Sequence, residues 1–192
     1  MKIDLSLELT RDLFKKLGVI ISDDEGIDRF GHVGTHLDLM GKDFDLSRTR
    51  SRGVIFDVRT IRNREIIAED IDLSKIKAKD FVLFYTGCME EYGYGNMEYF
   101  KLENPQLSQE LIDELLAKKI RFIGADLGGI RKIADHPRID HYCADHGVFV
   151  VENIARLGQL LEATKDKNFI IHTYPLALSD ATGLPCRVIA EF

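Results

Sequence analysis

Apolar residues recur along the chain in short, dense runs rather than in long stripes. Six runs of strand length, at 53–58, 81–85, 120–124, 148–151, 169–173 and 187–190, are rich in β-branched or aromatic residues. Runs of this kind, bounded by polar or glycine-bearing segments, predict strands. Three segments carry helical spacing instead. Thr10 is placed to cap a short helix bearing Leu13, Phe14 and Leu17 and closed by Gly18. Ser108 is placed to cap a second, with Leu111, Ile112 and Leu115 on one face, and Asn153 a third, with Ile154, Leu157, Leu160 and Leu161 inward. Strands outnumber helices and the two are interspersed, so the pattern predicts an α/β domain with a mixed, partly closed sheet. Long loops are expected over 22–52 and 87–108, and long ordered loops often carry function.

Bulk properties narrow the class of protein. At 192 residues, of which 45% are hydrophobic, the chain is the size of one domain with a real core, and no composition shift marks a boundary within 1–192. The charge is −6 with no basic stripe, which argues against nucleic acid, whose phosphates need clustered Lys and Arg. The nearest approach, Arg48, Arg50, Arg52, Arg59, Arg62 and Arg64, reads as a loop and a strand edge. No apolar run reaches the roughly 20 residues of a membrane span. The N-terminus has no signal-peptide core, and three scattered cysteines without a CxxC suit a reducing compartment, so the expected location is the cytoplasm.

One stretch concentrates chemistry. His32-Val33-Gly34-Thr35-His36-Leu37-Asp38 holds three metal-ligand side chains in seven residues, in a chain with only six histidines. A helix brings His32 and His36 together but turns Asp38 away. A strand puts His36 and Asp38 on one face but leaves His32 about 13 Å from His36, at about 3.3 Å per residue. A turn followed by a strand satisfies all three, and Gly34 stands at the pivot with the backbone freedom such a bend needs. Local hydrogen bonding by two loop histidines is the plainer alternative.

HVGTHLD resembles the HxGTHxD signature of the cyclase family, which includes bacterial kynurenine formamidase and isatin hydrolase. Further blocks match in family order: Asp4-Leu5-Ser6 resembles its N-terminal DLS, and FVLFYTG (81–87) its strand ending in TG. PQLSQE with IRFIGADLGGI is similar to its helix and G-x-D strand, VFVVENI to its Glu-bearing segment, and YPLALSDATGLPCRV to its C-terminal hairpin. The resemblance implies a swivelling β/β/α-type fold with a mixed, partly barrel-like sheet, and a homodimer or homotetramer. It implies a small-molecule substrate with an amide, formamide or cyclic amide bond, and a divalent metal, zinc or manganese. His32, His36 and Asp38 match the residues that hold one ion. A second site would use Asp38, Glu152 and a later histidine, whose position falls on Asp140 without gaps or on His141 with one deletion.

The chain departs from the pattern just after Asp38. The family continues PxH, its histidine serving as general acid/base; Met40 and Lys42 occupy those positions here. A lysine is a poor base at neutral pH unless a nearby cation lowers its proton affinity. Lys42 then either moves protons or steadies an oxyanion, or the protein binds metal or a small molecule with little turnover. His136 and His146 are candidates to compensate, and Asp43 is a further candidate ligand. Glu152 reads either as a ligand and catalytic group or as a charge at a helix start. Asp126 reads as a turn residue or a site residue, Cys143 as a buried thiol before a nucleophile, and His172 as a strand histidine. Tyr85, Tyr92, Tyr94 and Tyr99 either line a pocket or pack the glycine-rich loop between them.

Overall fold

A closed ring of strands carries the molecule. The computed structural model describes residues 1–18, 24–165, 167–178 and 181–192. Ser22 at the start of the expected long loop, the side chain of Phe14, and residues 179 and 180 of the C-terminal block lie outside that description.

In chain order the strands are β1 (Lys2–Asp4), β2 (His36–Asp38), β3 (Arg50–Asp57), β4 (Phe81–Tyr85), β5 (Phe122–Ala125), β6 (Phe149–Glu152), β7 (Phe169–Pro175) and β8 (Gly183–Glu191). β3, β4, β5 and β6 lie parallel, in register steps such as Phe81 beside Phe122 and Phe122 beside Phe149. β2 runs antiparallel between β6 and β8, and β7 antiparallel between β3 and β8. The β7–β8 pairing closes seven strands into a mixed, barrel-like sheet, with β1 added outside on β8. This is the mixed, barrel-like sheet expected from the family resemblance.

The helices are α1 (Arg11–Leu17), α2 (Asp24–Gly31), α3 (Cys88–Tyr92), α4 (Met97–Phe100), α5 (Gln109–Ala117), α6 (His136–Asp145) and α7 (Leu157–Thr164). Thr10 Oγ1 accepts the Leu13 N–H, and Gly18 closes α1 in the left-handed conformation. Ser108 Oγ caps α5 through the Leu111 N–H. Asn153 does not cap α7. Arg156 occupies that position, and the Asn153 side chain is engaged elsewhere. The expected loop over 22–52 contains α2 and β2, and that over 87–108 contains α3 and α4.

Alternate residues of the parallel strands feed two cores, because both faces of this part of the sheet are covered. Val54, Phe56, Val82, Phe84 and Ile123 pack with Leu111, Ile112 and Leu115 of α5 and with Ile139 and Cys143 of α6. Phe81, Leu83, Phe122, Phe149 and Val151 pack with Leu37 of β2 and with Leu157 and Leu160 of α7. Five of the six arginines noted in the sequence are engaged one by one: Arg52 with Asp80, Arg59 with Asp57, Arg62 with Glu91, Arg64 with Asp70, and Arg48 with the Gly147 carbonyl. They form no shared anion cradle. No helix among the described residues is long and apolar enough to cross a membrane.

Candidate metal centre

The backbone bends at Gly34, whose φ is 69°, and runs straight into β2. Strand alternation then puts His36 and Asp38 on one face and buries Leu37 on the other. Across the antiparallel ladder Glu152 of β6 stands directly opposite His36. α6 lies against the same face and contributes His136 and Asp140, one helical turn apart.

Six side chains converge as two sets that share one carboxylate. His32, His36 and Asp38 form the first, and Asp38, His136, Asp140 and Glu152 the second; within each, the ligand atoms lie within 4.8 Å of one another. In the first set His32 Nδ1 is 3.1 Å from His36 Nε2 and 3.1 Å from Asp38 Oδ1, and His36 Nε2 is 3.3 Å from Asp38 Oδ1. Atoms ligating one ion at its usual bond lengths are about 3 Å apart, so this triangle already has the size of a coordination face. In the second set His136 Nε2 is 2.9 Å from Asp140 Oδ2 and 2.6 Å from Glu152 Oε1. His136 Nε2 thus lies between two carboxylate oxygens, and the three atoms face a common point.

The orientation of both first-set imidazoles is set from behind. His36 Nδ1 lies 3.0 Å from the Gly34 carbonyl, which can only accept, so Nδ1 carries the proton and Nε2 faces the cluster. His32 Nε2 contacts Thr182 Oγ1 at 3.0 Å, which leaves Nδ1 inward. Outer partners of this kind accompany metal-bound histidines generally.

The polar inventory asks for a cation. Both oxygens of Asp38, both of Asp140, and Glu152 Oε1 are buried without a hydrogen-bond partner among the described residues. Buried carboxylates are costly unless paired or bound to metal. Burial works against a charged His36, but the Asp38 and Glu152 carboxylates outweigh it and raise its pKa to about 9. Burial likewise opposes a charged His136, and Glu152 and Asp140 carry it to about 11. Asp140 is pushed up to about 7, chiefly by burial and further by the charges of Asp38 and Glu152. For Asp38 burial acts upward, but the two histidines prevail and hold its pKa below the usual range. Without metal, protons supply the positive charge that three crowded carboxylates require; a divalent ion supplies it directly. The residues present therefore fit such an ion. His36, Asp38, Asp140 and Glu152 are sealed from solvent, while the His32 and His136 side chains are 35% and 25% exposed, so access lies on their side.

Of the two candidates for the later ligand, Asp140 lies in the cluster and His141 on the exposed side of α6, outside it. Lys42 is not in the cluster either; its ammonium is 2.6 Å from Asp145 Oδ1 on the surface end of α6. His136, a candidate to compensate as acid or base, lies in the cluster with Asp38, Asp140 and Glu152, and its four-residue spacing from Asp140 is the signal the sequence carries. His146 folds back on the Tyr142 carbonyl and His172 pairs with Glu191. Asp126 accepts from the Thr86 and Gly87 N–H groups and the Thr86 hydroxyl, a turn-holding role. Cys143 is a buried core thiol, with its pKa pushed up to about 12 by burial. Tyr94 and Tyr99 pack against the bend itself: the Gly34 N–H donates to Tyr94 Oη, and Tyr99 donates to Asn153 Oδ1.

The Cyclase family model matches residues 3–131. The chain belongs to the cyclase family. Among curated relatives, the chain is similar to the kynurenine formamidases of Bacillus cereus (strain ATCC 14579) and Bacillus thuringiensis (strain Al Hakam). Each is 26% identical over 164 residues, covering 82% of this chain and 75% of the relative. Among solved structures, isatin hydrolase A from Labrenzia aggregata, bound to benzyl benzoate, superposes with a TM-score of 0.75 at 21% identity, over 99% of this chain and 93% of the other. A potential metal-dependent hydrolase with cyclase activity gives a TM-score of 0.71 at 21% identity, over 99% and 96%. At such identities these structures establish a shared fold.

Proposed function

We propose that this protein is a metal-dependent hydrolase of a small amide, formamide or cyclic amide, with zinc or manganese at the site. One observation carries the reading: buried Asp38 belongs to both ligand sets while neither of its oxygens has a hydrogen-bond partner among the described residues. The kynurenine formamidase and hydrolase descriptions of the relatives support the reaction class. His32, His36 and Asp38 would hold one ion, and Asp38, His136, Asp140 and Glu152 a second. A divalent ion at such a site polarises a carbonyl and acidifies water toward neutral pH. Glu152, between His36 and His136, is placed to orient water on the buried side.

Lys42 enters from another direction. It borders a cavity of about 600 Å³ whose wall is largely apolar, with Leu39, Phe44, Leu178 and Leu184, and which also includes Thr182, the residue that holds His32. An ammonium released from Asp145 into this cavity would face negative charge developing on a carbonyl oxygen. In this reading Lys42 stabilises charge and the buried carboxylates manage protons. His36→Ala should abolish both bound metal, by elemental analysis, and amide hydrolysis; an unchanged rate would remove the proposal.

A second reading rests on the Lys42–Asp145 pair: the family's histidine position is occupied by a side chain already engaged at the surface, so the protein binds metal or a small ligand with little turnover. A hydrolysis screen over formamides, lactams and esters with added zinc or manganese separates the two. Broad inactivity with tight metal binding favours the second.

A further inference from the structure

Behind the ligand bend lies a buried relay that the proposed chemistry does not use. Asn153 follows Glu152 at the end of β6, is 2% exposed, and takes a left-handed backbone with φ 54°. That conformation disfavours most side chains and tolerates Asn, with Gly the natural occupant. The amide explains why the position is not simply glycine. Its Nδ2 is 3.0 Å from the Gly34 carbonyl, and its Oδ1 is 2.8 Å from Tyr99 Oη. The Gly34 carbonyl has no proton to give, so the amide nitrogen must face it and the amide oxygen must face Tyr99. The polarity of the chain follows without ambiguity. Tyr99 O–H donates to Asn153, Asn153 donates to the Gly34 carbonyl, and His36 Nδ1–H donates to that same carbonyl from the other side.

The rest of the bend is closed onto the same residue. Thr35 Oγ1 donates to the Asn153 carbonyl at 2.7 Å while accepting the Leu7 N–H, and the Asn153 N–H donates to the Leu127 carbonyl. Tyr99 is itself almost fully buried, stacked edge-on with Tyr94 and Phe100. A carbonyl oxygen accepts two hydrogen bonds; one here serves His36 and the other fixes the direction of the carbonyl.

We propose that Asn153, backed by Tyr99, is a positioning residue for metal binding: it orients the Gly34 carbonyl that fixes the tautomer and aim of His36. The inference rests on the metal reading above. It makes the 94–100 segment part of the site although none of its side chains reaches the ligand cluster.

Zinc titration by calorimetry tests it. Asn153→Gly keeps the left-handed backbone and deletes only the amide. Its zinc affinity should fall by about 10–100-fold, the range typical for partners behind a ligand, while in chelator it still melts cooperatively, at a temperature lowered by the Tyr99 hydroxyl left buried without its acceptor. In zinc-loaded protein the His36 Nδ1–H resonance should shift or broaden, which simple loss of packing volume would not produce. Should Asn153→Gly fail to fold, Tyr99→Phe removes only the hydroxyl and should weaken zinc binding in the same direction. Wild-type affinity and an unmoved His36 resonance in a folded variant would overturn this inference alone. A wild-type protein that takes up neither zinc nor manganese would overturn the metal reading with it.

Discussion

His36 and Glu152 face each other across the β2–β6 ladder, with His36 Nε2 3.4 Å from Glu152 Oε2. Each is nearly sealed from water, so the contact brings one carboxylate's full charge to bear on the centre. Glu152→Gln preserves shape and removes that charge. Affinity for zinc or manganese should drop by at least about tenfold, the lower end of what even outer-layer changes cost. Calorimetric titration checks this, and an undiminished affinity would count against Glu152 as a ligand.

Gly183 of β8 sits against the His32 ring. A methyl added there would lie 2.7 Å from His32 Cε1 and 2.9 Å from both ring nitrogens. His32 is partly exposed and can rotate outward, so Gly183→Ala should expel the imidazole rather than unfold the sheet. The expected result is a near-normal melting temperature in chelator with weakened metal binding. Full binding strength in this variant would mean that His32 is dispensable.

Lys42 and Asp145 form an exposed ion pair, and pairs of that kind contribute little to stability. Lys42→Met should leave melting and metal content unchanged while lowering the rate of amide hydrolysis. Lys42→His, which restores the family's residue, should recover activity. If Lys42→Met hydrolyses at the wild-type rate, the charge-stabilising role is wrong.

Asp126 predicts a pH dependence of stability. Burial raises its carboxyl to about 6 from the ordinary 3.8, although Thr86 and Gly87 donate to it. The folded protein therefore holds this proton more tightly than the unfolded chain does. The resulting stabilisation is complete below about pH 4 and disappears as pH rises through about 6, a change of about 3 kcal/mol at 1.36 kcal/mol per unit. Urea unfolding in chelator should show wild type losing stability relative to Asp126→Asn across that window; parallel curves would refute it.

Local chemistry made much of the fold legible. Thr10, Gly18 and Ser108 announce helix ends because capping is settled within four residues, and the aromatic run FVLFY reads as a strand because it is buried on every position. β2 and its bend follow from asking how three candidate ligands within seven residues can meet. α6 stayed hidden for a reason tied to the site. Its inward face spends His136 and Asp140 on the cluster, which leaves too thin an apolar stripe to be noticed. Asn153 looked like a helix cap because its usual local preference is to cap. The partners that claim it, Gly34 and Tyr99, are distant in sequence. The same distance hid the choice between Asp140 and His141, which depends on how α6 is rotated against β6.

β2 is only three residues long, yet it is bonded along both edges, to β6 on one side and β8 on the other. A slip by a single residue would break two ladders at once and swing Leu37, which has no exposed surface, into the place of His36 and Asp38. The scaffold therefore fixes the His36 imidazole and the Asp38 carboxylate through its own ladders, so a cation bound as proposed would meet a receptor that it does not have to shape.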